Sequence, residues 1–227
     1  MKTKTNVKTT NLSRRNFIVS TAAAGGGLAL GFYLPFGSAE AKSAAGAGSE
    51  VSAWVVIKPD NTCVIRVARS EMGQGTMTGL ATLVAEELDV DPARFEIRFA
   101  PVLPVFQRPL QMTGQSRSMA DSWELLRETG AAARAMLIDA AATRWDIPAQ
   151  RLRTADGAVV HPDTGETLPY AELAAAAAKL SPPLSVNLKA AADYRWIGKH
   201  VSRLDLHAKV TGAAVYGLDI KRPGMLT

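Results

Sequence analysis

The chain has 227 residues, 47% of them hydrophobic, a formal charge of +5 and a single cysteine, a balance that excludes a disulfide scaffold and a wholly disordered polymer. Five of the 26 basic residues and one of the 21 acidic ones fall within residues 1–41; without that segment the charge is +1. No basic stripe with interleaved aromatics remains, so no nucleic-acid partner is expected.

The N-terminal segment reads as a twin-arginine signal peptide, residues 1–41. Ser13-Arg14-Arg15-Asn16-Phe17-Ile18 sets two arginines before an apolar run, Ile18 to Phe36, that is rich in Ala and Gly. No acid precedes Glu40, and Ala39-Glu40-Ala41 offers a small-x-small cleavage site. The glycines Gly25 to Gly27 and Pro35 weaken the alternative of a membrane-spanning helix. A periplasmic protein is expected, exported folded and therefore with a cofactor already inserted. Residues 42–50 are small and polar and read as a flexible lead-in.

The folded part begins near Val51. Val51 to Ile57 and Thr62 to Ala68 are β-prone runs around the turn cluster Pro59-Asp60-Asn61, a hairpin pattern in which the lone Cys63 reads as a small buried hydrophobe. From Thr76, apolar residues at Met77, Leu80, Ala81, Val84, Ala85 and Leu88 recur at three- and four-residue steps, predicting a helix of about thirteen residues. The helix stops before Asp91-Pro92, and the alternation from Arg94 to Phe99 predicts a third strand beside the hairpin. After a proline-rich loop, Pro101 to Gln111, a long helix is expected from about Met119 to Trp145. Its inner stripe is Met119, Trp123, Leu126, Gly130, Ala133, Leu137 and Ala140, small enough for close approach to a sheet. Leu152 to Tyr170 reads as a hairpin turning at His161 to Gly165, Tyr170 to Leu180 as a helix, and Ala213 to Ile220 as a strand-like piece of a short tail. The fold class is α+β, mixed sheets packed on helices.

Two polar loops carry the chemistry. Gly73-Gln74-Gly75-Thr76-Met77-Thr78 leads from a strand into a helix, whose first N–H groups and dipole suit an anion; Gln74 adds an amide and Thr76 and Thr78 add hydroxyls. Thr113-Gly114-Gln115-Ser116-Arg117-Ser118 opens the long helix in a similar way. The plainer alternative has the glycines serving a tight turn and Thr76 and Ser116 acting as N-caps. The spacing Gly73-x-Gly75-x-x-x-Gly79 is not the dinucleotide fingerprint. His161, His200 and His207 lack metal-ligand spacing, so no protein-ligated metal is expected.

The stretch Arg69-Ser70-Glu71-Met72-Gly73-Gln74-Gly75-Thr76-Met77-Thr78, continuing through Leu83 to Leu88, resembles the molybdopterin-binding large subunits of the xanthine dehydrogenase and aldehyde oxidase superfamily. The branch it is most similar to contains isoquinoline 1-oxidoreductase beta subunits and membrane-associated aldehyde dehydrogenase large subunits. Thr113-Gly114-x-Ser116-x-Ser118 with Asp121 to Glu124, and Ile197-Gly198-Lys199 through Arg203-Leu204-Asp205 to Lys209-Val210-Thr211-Gly212, extend the resemblance over roughly Trp54 to Thr227. It implies a molybdenum–molybdopterin cofactor, with a cytosine dinucleotide form also admitted. The implied contacts are Gly73, Gln74, Gly75 and Thr78 in the first loop and Thr113, Ser116 and Ser118 in the second. Gln115 stands where relatives commonly have glycine.

The resemblance further implies oxidation of aldehydes or hydroxylation of N-heteroaromatic compounds with oxygen from water, an iron–sulfur small subunit, a membrane cytochrome c subunit and association with the inner membrane. Residues 51–190 are expected to form the molybdopterin-binding-like domain and residues 191–227 the start of a following, hammerhead-like domain that is cut short. The family's catalytic glutamate lies beyond that point, so no catalytic residue is assigned and the chain alone is expected to be inactive. The alternatives are a shortened, non-enzymatic periplasmic binding or assembly protein and the product of a disrupted reading frame.

Overall fold

The computed structural model describes residues 54–103, 106–107 and 111–226, together with the backbone of residues 17–21 and 28–32. The remainder of the expected signal peptide and the whole lead-in lie outside the described residues. Phe17–Thr21 (β1) and Leu28–Phe32 (β2) pair antiparallel, and β2 pairs in turn with Val55–Ile57 (β3).

β3 and Cys63–Val67 (β4) form the expected hairpin, with Val55 opposite Ile65 and Ile57 opposite Cys63. Asn61 takes φ 65 in the turn, and Asp60 Oδ1 accepts the Thr62 N–H at 2.9 Å. Every residue of both strands is buried. Val55, Ile57, Cys63, Ile65 and Val67 face the main core, whereas Val56 and Val64 pair on the opposite face.

Helix α1, Thr76–Leu88, then crosses back so that Phe95–Phe99 (β5) lies parallel to β4. Asp89 closes α1 in the left-handed region at φ 53, and Pro92 starts a short 3-10 turn that leads into β5. Phe106, fully buried, anchors the following loop edge-on against Trp54, with ring centroids 5.0 Å apart.

Helix α2 runs from Ser118 to Trp145. Leu126, Gly130, Ala133, Leu137 and Ala140 of the expected stripe are buried; Met119 and Trp123 are half-buried at its edge. The small residues bring α2 against α1, and α2 also approaches the sheet at β2. A Cβ on Gly130 would lie 3.0 Å from the Val84 carbonyl oxygen and 3.0 Å from Glu87 Cβ. α1 packs on β4 and β5.

The segment read as one hairpin over Leu152 to Tyr170 is a three-stranded antiparallel meander, Arg153–Ala155 (β6), Ala158–Val160 (β7) and Thr167–Pro169 (β8). The additional turn is Asp156-Gly157, both with positive φ (47 and 83) as a two-residue type I′ turn requires. Tyr170–Ala177 (α3) follows, and the buried Tyr170 hydroxyl donates to the Leu88 carbonyl at 2.8 Å. Asn61 ties the two sheets together: its amide donates to the Gly157 carbonyl and its oxygen accepts the Ala171 N–H.

The tail is docked as far as Leu204. Glu86, wholly buried on α1, accepts the backbone N–H groups of Arg195, Trp196 and Ile197 at 2.9, 2.8 and 2.9 Å. Beyond it lies a short helix, Leu206–Val210 (α4). Ala213 to Ile220 forms no strand: it is largely exposed, pairs with no strand among the described residues and contains a 3-10 turn at Gly217–Asp219.

Candidate functional site

The carboxyl ends of the parallel strands β4 and β5 are where an α/β crossover leaves loops free to bind. Arg69, two residues past β4, is only 3% exposed. Its guanidinium donates to the Met112 carbonyl and lies 3.4 Å from Asp121 on α2. Next to it, the Ser70 N–H donates to Thr113 Oγ1 at 2.7 Å. These bonds bring together two loops more than forty residues apart in sequence.

A cleft of about 470 Å³ opens beside this junction, lined among others by Arg69, Ser70, Phe99, Ala100, Gln111 and Thr113. Gln111 Nε2 donates to the Ala100 and Pro101 carbonyls, both at 3.1 Å, and its Oε1 is a buried acceptor without a partner among the described residues. An orphaned acceptor in the wall of a cleft suits a ligand that carries N–H or O–H donors.

The first loop is organised by Glu71, which sequence reading passed over. Glu71 Oε1 accepts the N–H groups of Gly73 and Gly75 at 2.8 and 3.0 Å, and Oε2 accepts that of Met77 at 3.0 Å. Burial pushes this carboxyl up, but the three N–H bonds and the nearby Arg203 guanidinium outweigh it and hold the group below the ordinary 4.5. The carboxylate therefore sits where the sequence placed an external anion. Gln74 folds back over the same loop: its oxygen accepts the Met72 N–H at 2.6 Å and its amide donates to the Ser70 carbonyl at 2.9 Å.

Arg203 covers this loop from the tail. It donates to the Gly73 carbonyl at 2.7 Å, contacts Glu71 at 3.3 Å and pairs with Asp205, which Lys209 also holds. Gly75, at φ 84, presents no side chain to it; a Cβ there would stand 3.6 Å from the guanidinium. Thr78 lies in the first turn of α1, where its hydroxyl accepts the Leu204 N–H at 3.1 Å.

In the second loop Gln115 and Ser116 both have positive φ, 54 and 55, a conformation glycine enters more readily. Ser116 is exposed, whereas Ser118 is buried at the start of α2. The N-caps of α1 and α2 are Gly75 and Arg117, neither with a side-chain cap, so Thr76 and Ser116 do not serve as N-caps. Of the seven residues singled out, Thr113 lines the cleft and bonds to Ser70, Gln74 bonds to the Ser70 carbonyl, and Gly73 and Gly75 face the Glu71 carboxylate. Thr78 is turned toward the tail. Among the described residues no group of three or more His, Cys, Asp or Glu could hold a metal ion.

The residues present fit a pterin heterocycle better than a bare phosphate: among the described residues the cleft offers the hydroxyls of Ser70 and Thr113 and one orphaned acceptor, while the backbone N–H groups of the glycine loop are already bound. Residues 4–218 match the molybdopterin cofactor-binding domain family. The beta subunit of isoquinoline 1-oxidoreductase from Brevundimonas diminuta is 32% identical, over 96% of this chain and 33% of that protein. The membrane-bound aldehyde dehydrogenase (pyrroloquinoline-quinone) of Gluconacetobacter polyoxogenes is 30% identical over 95% of this chain and 29% of its own length. The B subunit of nicotinate dehydrogenase from Pseudomonas putida is 33% identical over 78% of this chain and 15% of its own length. The chain thus spans a third or less of the curated relatives it matches. It belongs to the molybdopterin cofactor-binding domain family.

Proposed function

We propose that this domain supplies one wall of the cofactor site in a molybdenum hydroxylase large subunit that oxidises aldehydes or N-heteroaromatic compounds. The observation that carries the reading is the meeting of the two loops at the Ser70–Thr113 hydrogen bond, beside the cleft lined by Gln111, whose buried oxygen has no partner among the described residues. The cofactor, when bound, supplies a molybdenum centre able to take two electrons from a substrate. The chain's own work is binding and orientation. Gly73, Gln74 and Gly75 present the first loop and Thr113 and Ser116 the second, while Ser118 is buried at the start of α2 and Thr78 holds the tail through the Leu204 N–H. Arg69 fixes the spacing of the two loops through Met112 and Asp121.

The reading extends to export by the twin-arginine route to the periplasm, supported by Ser13-Arg14-Arg15 and the apolar run after it. No helix among the described residues is long and apolar enough to cross a membrane. An iron–sulfur small subunit as the direct partner, with a cytochrome c subunit next in line, accords with two relatives being named as subunits. On this reading the chain alone binds but does not catalyse.

The test is to express the full chain in cells that make molybdopterin, purify it, and assay molybdenum and the fluorescent pterin released by oxidation. Cofactor in the wild type that falls when Thr113→Ala separates the loops supports the reading. Neither molybdenum nor pterin in a folded wild-type preparation overturns it.

A further inference from the structure

The amide groups at the start of α1 are the place where a glycine-rich loop ordinarily takes a phosphate. Here that place is filled. The Glu71 side chain, 10% exposed, spans Gly73, Gly75 and Met77 with both its oxygens, and the Arg203 guanidinium closes over it from the tail. The net charge of this nest is already met: Glu71 faces Arg203, and Arg203 is shared with Asp205, which Lys209 holds in turn.

We infer that Glu71 is an internal anion that positions the Gln74 loop and closes the α1 N-terminus to phosphate, so that the loop receives the neutral, heterocyclic part of a ligand and not its phosphate groups. Two features support this besides the three bonds. Gln74 is held in place by the same turn, its two amide atoms bonded to Met72 and Ser70, so its orientation depends on the turn that Glu71 fixes. Gly73 and Gly75 both take positive φ, 101 and 84, which aims their N–H groups inward at one carboxylate. A second anion brought to that point would meet the charge of Glu71 at hydrogen-bond distance. Its bearing on the cofactor rests on the function proposed above; the placement of Glu71 does not.

Inorganic phosphate titrated into the isotopically labelled full chain, with the Gly73, Gly75 and Met77 amides followed by NMR, tests the inference. In the wild type these amides are expected to remain unshifted. In Glu71→Ala, which opens the nest, they are expected to shift with added phosphate and to saturate. Glu71→Gln, which keeps a neutral acceptor, is expected to restore part of their protection from exchange. Phosphate shifts of equal size in wild type and Glu71→Ala overturn the inference. If the alanine variant does not fold, the wild type alone decides. The three amides are expected to lose part of their protection together as pH falls below the ordinary carboxylate value of 4.5, toward the level of Glu71→Gln, while the buried centre of α2 keeps it; protection wholly unchanged with Glu71 protonated overturns the inference. Molybdenum and pterin content reports on the proposed cofactor and phosphate shifts report on Glu71, so the two readings fail separately.

Discussion

Gly130 of α2 and Val84 of α1 approach so closely that a Cβ on Gly130 would come within 3.0 Å of the Val84 carbonyl oxygen. Because the obstacle is helix backbone, it cannot swing aside. Gly130→Ala is expected to destabilise the fold by about 1–3 kcal/mol despite alanine's better helix propensity. Gly79 offers the contrast: a Cβ there would meet only the Met119 side chain, its sulfur at 2.9 Å, the end of a flexible group. Gly79→Ala is therefore expected to be neutral or to gain about 0.5–1 kcal/mol, with both effects read from urea unfolding midpoints.

Behind this contact the wholly buried Glu87 receives Arg127 at 2.6 Å and the backbone N–H of Lys189 at 3.1 Å. Glu87→Ala leaves the Arg127 guanidinium, itself 7% exposed, without its carboxylate. A loss of about 3–5 kcal/mol is expected, since removing one member of a buried ion pair strands the other. A change below about 1 kcal/mol would show that the pair is dispensable.

Glu86 makes tail docking sensitive to acid. Burial pushes its carboxyl up, but the N–H groups of Arg195, Ile197 and Trp196, with Lys189 beyond, hold it below the ordinary 4.5. A carboxyl lowered in the folded state contributes fully above the unfolded value and loses that contribution as pH falls through the folded one. Release of the tail is thus expected only below pH 4.5, visible as a change in Trp196 fluorescence ahead of global unfolding. At neutral pH, Glu86→Ala is expected to speed tryptic cleavage after Arg195 and Lys199.

Cys63 sits in β4 at 1% exposure, and burial pushes its thiol up to about 12. It is expected to be inert to a disulfide reagent at about pH 8 in the native protein and to react fully in denaturant. Fast native labelling would mean that the β3–β4 hairpin opens readily.

Local pattern was enough for much of the fold. The three- and four-residue spacing from Thr76 gives a thirteen-residue helix, and α1 is Thr76–Leu88; the long helix and the return of β5 beside the hairpin were equally legible. The Asp156-Gly157 turn was present as a signal but lay between strands of three residues, too short to show alternation. Ala213 to Ile220 has strand-like pieces yet nothing to pair with among the described residues. The glycine loop was visible as a site, but its resident carboxylate was not, because Glu71 looks like an ordinary strand-end acid until the chain turns back on it. Likewise, no local pattern links Glu86 and Glu87 to backbone more than a hundred residues away. Gln111 and Arg203 became legible only with the cleft and the docked tail in place.

If the loops around Gln74 and Thr113 form one pterin-binding surface, chemical-shift mapping of the full chain with a soluble pterin shows it most directly. Shifts confined to Gln74, Gln111, Thr113 and Ser116, and weakened by Thr113→Ala, are the expected result. Shifts at only one of the two loops, or none at either while the protein remains folded, would contradict it.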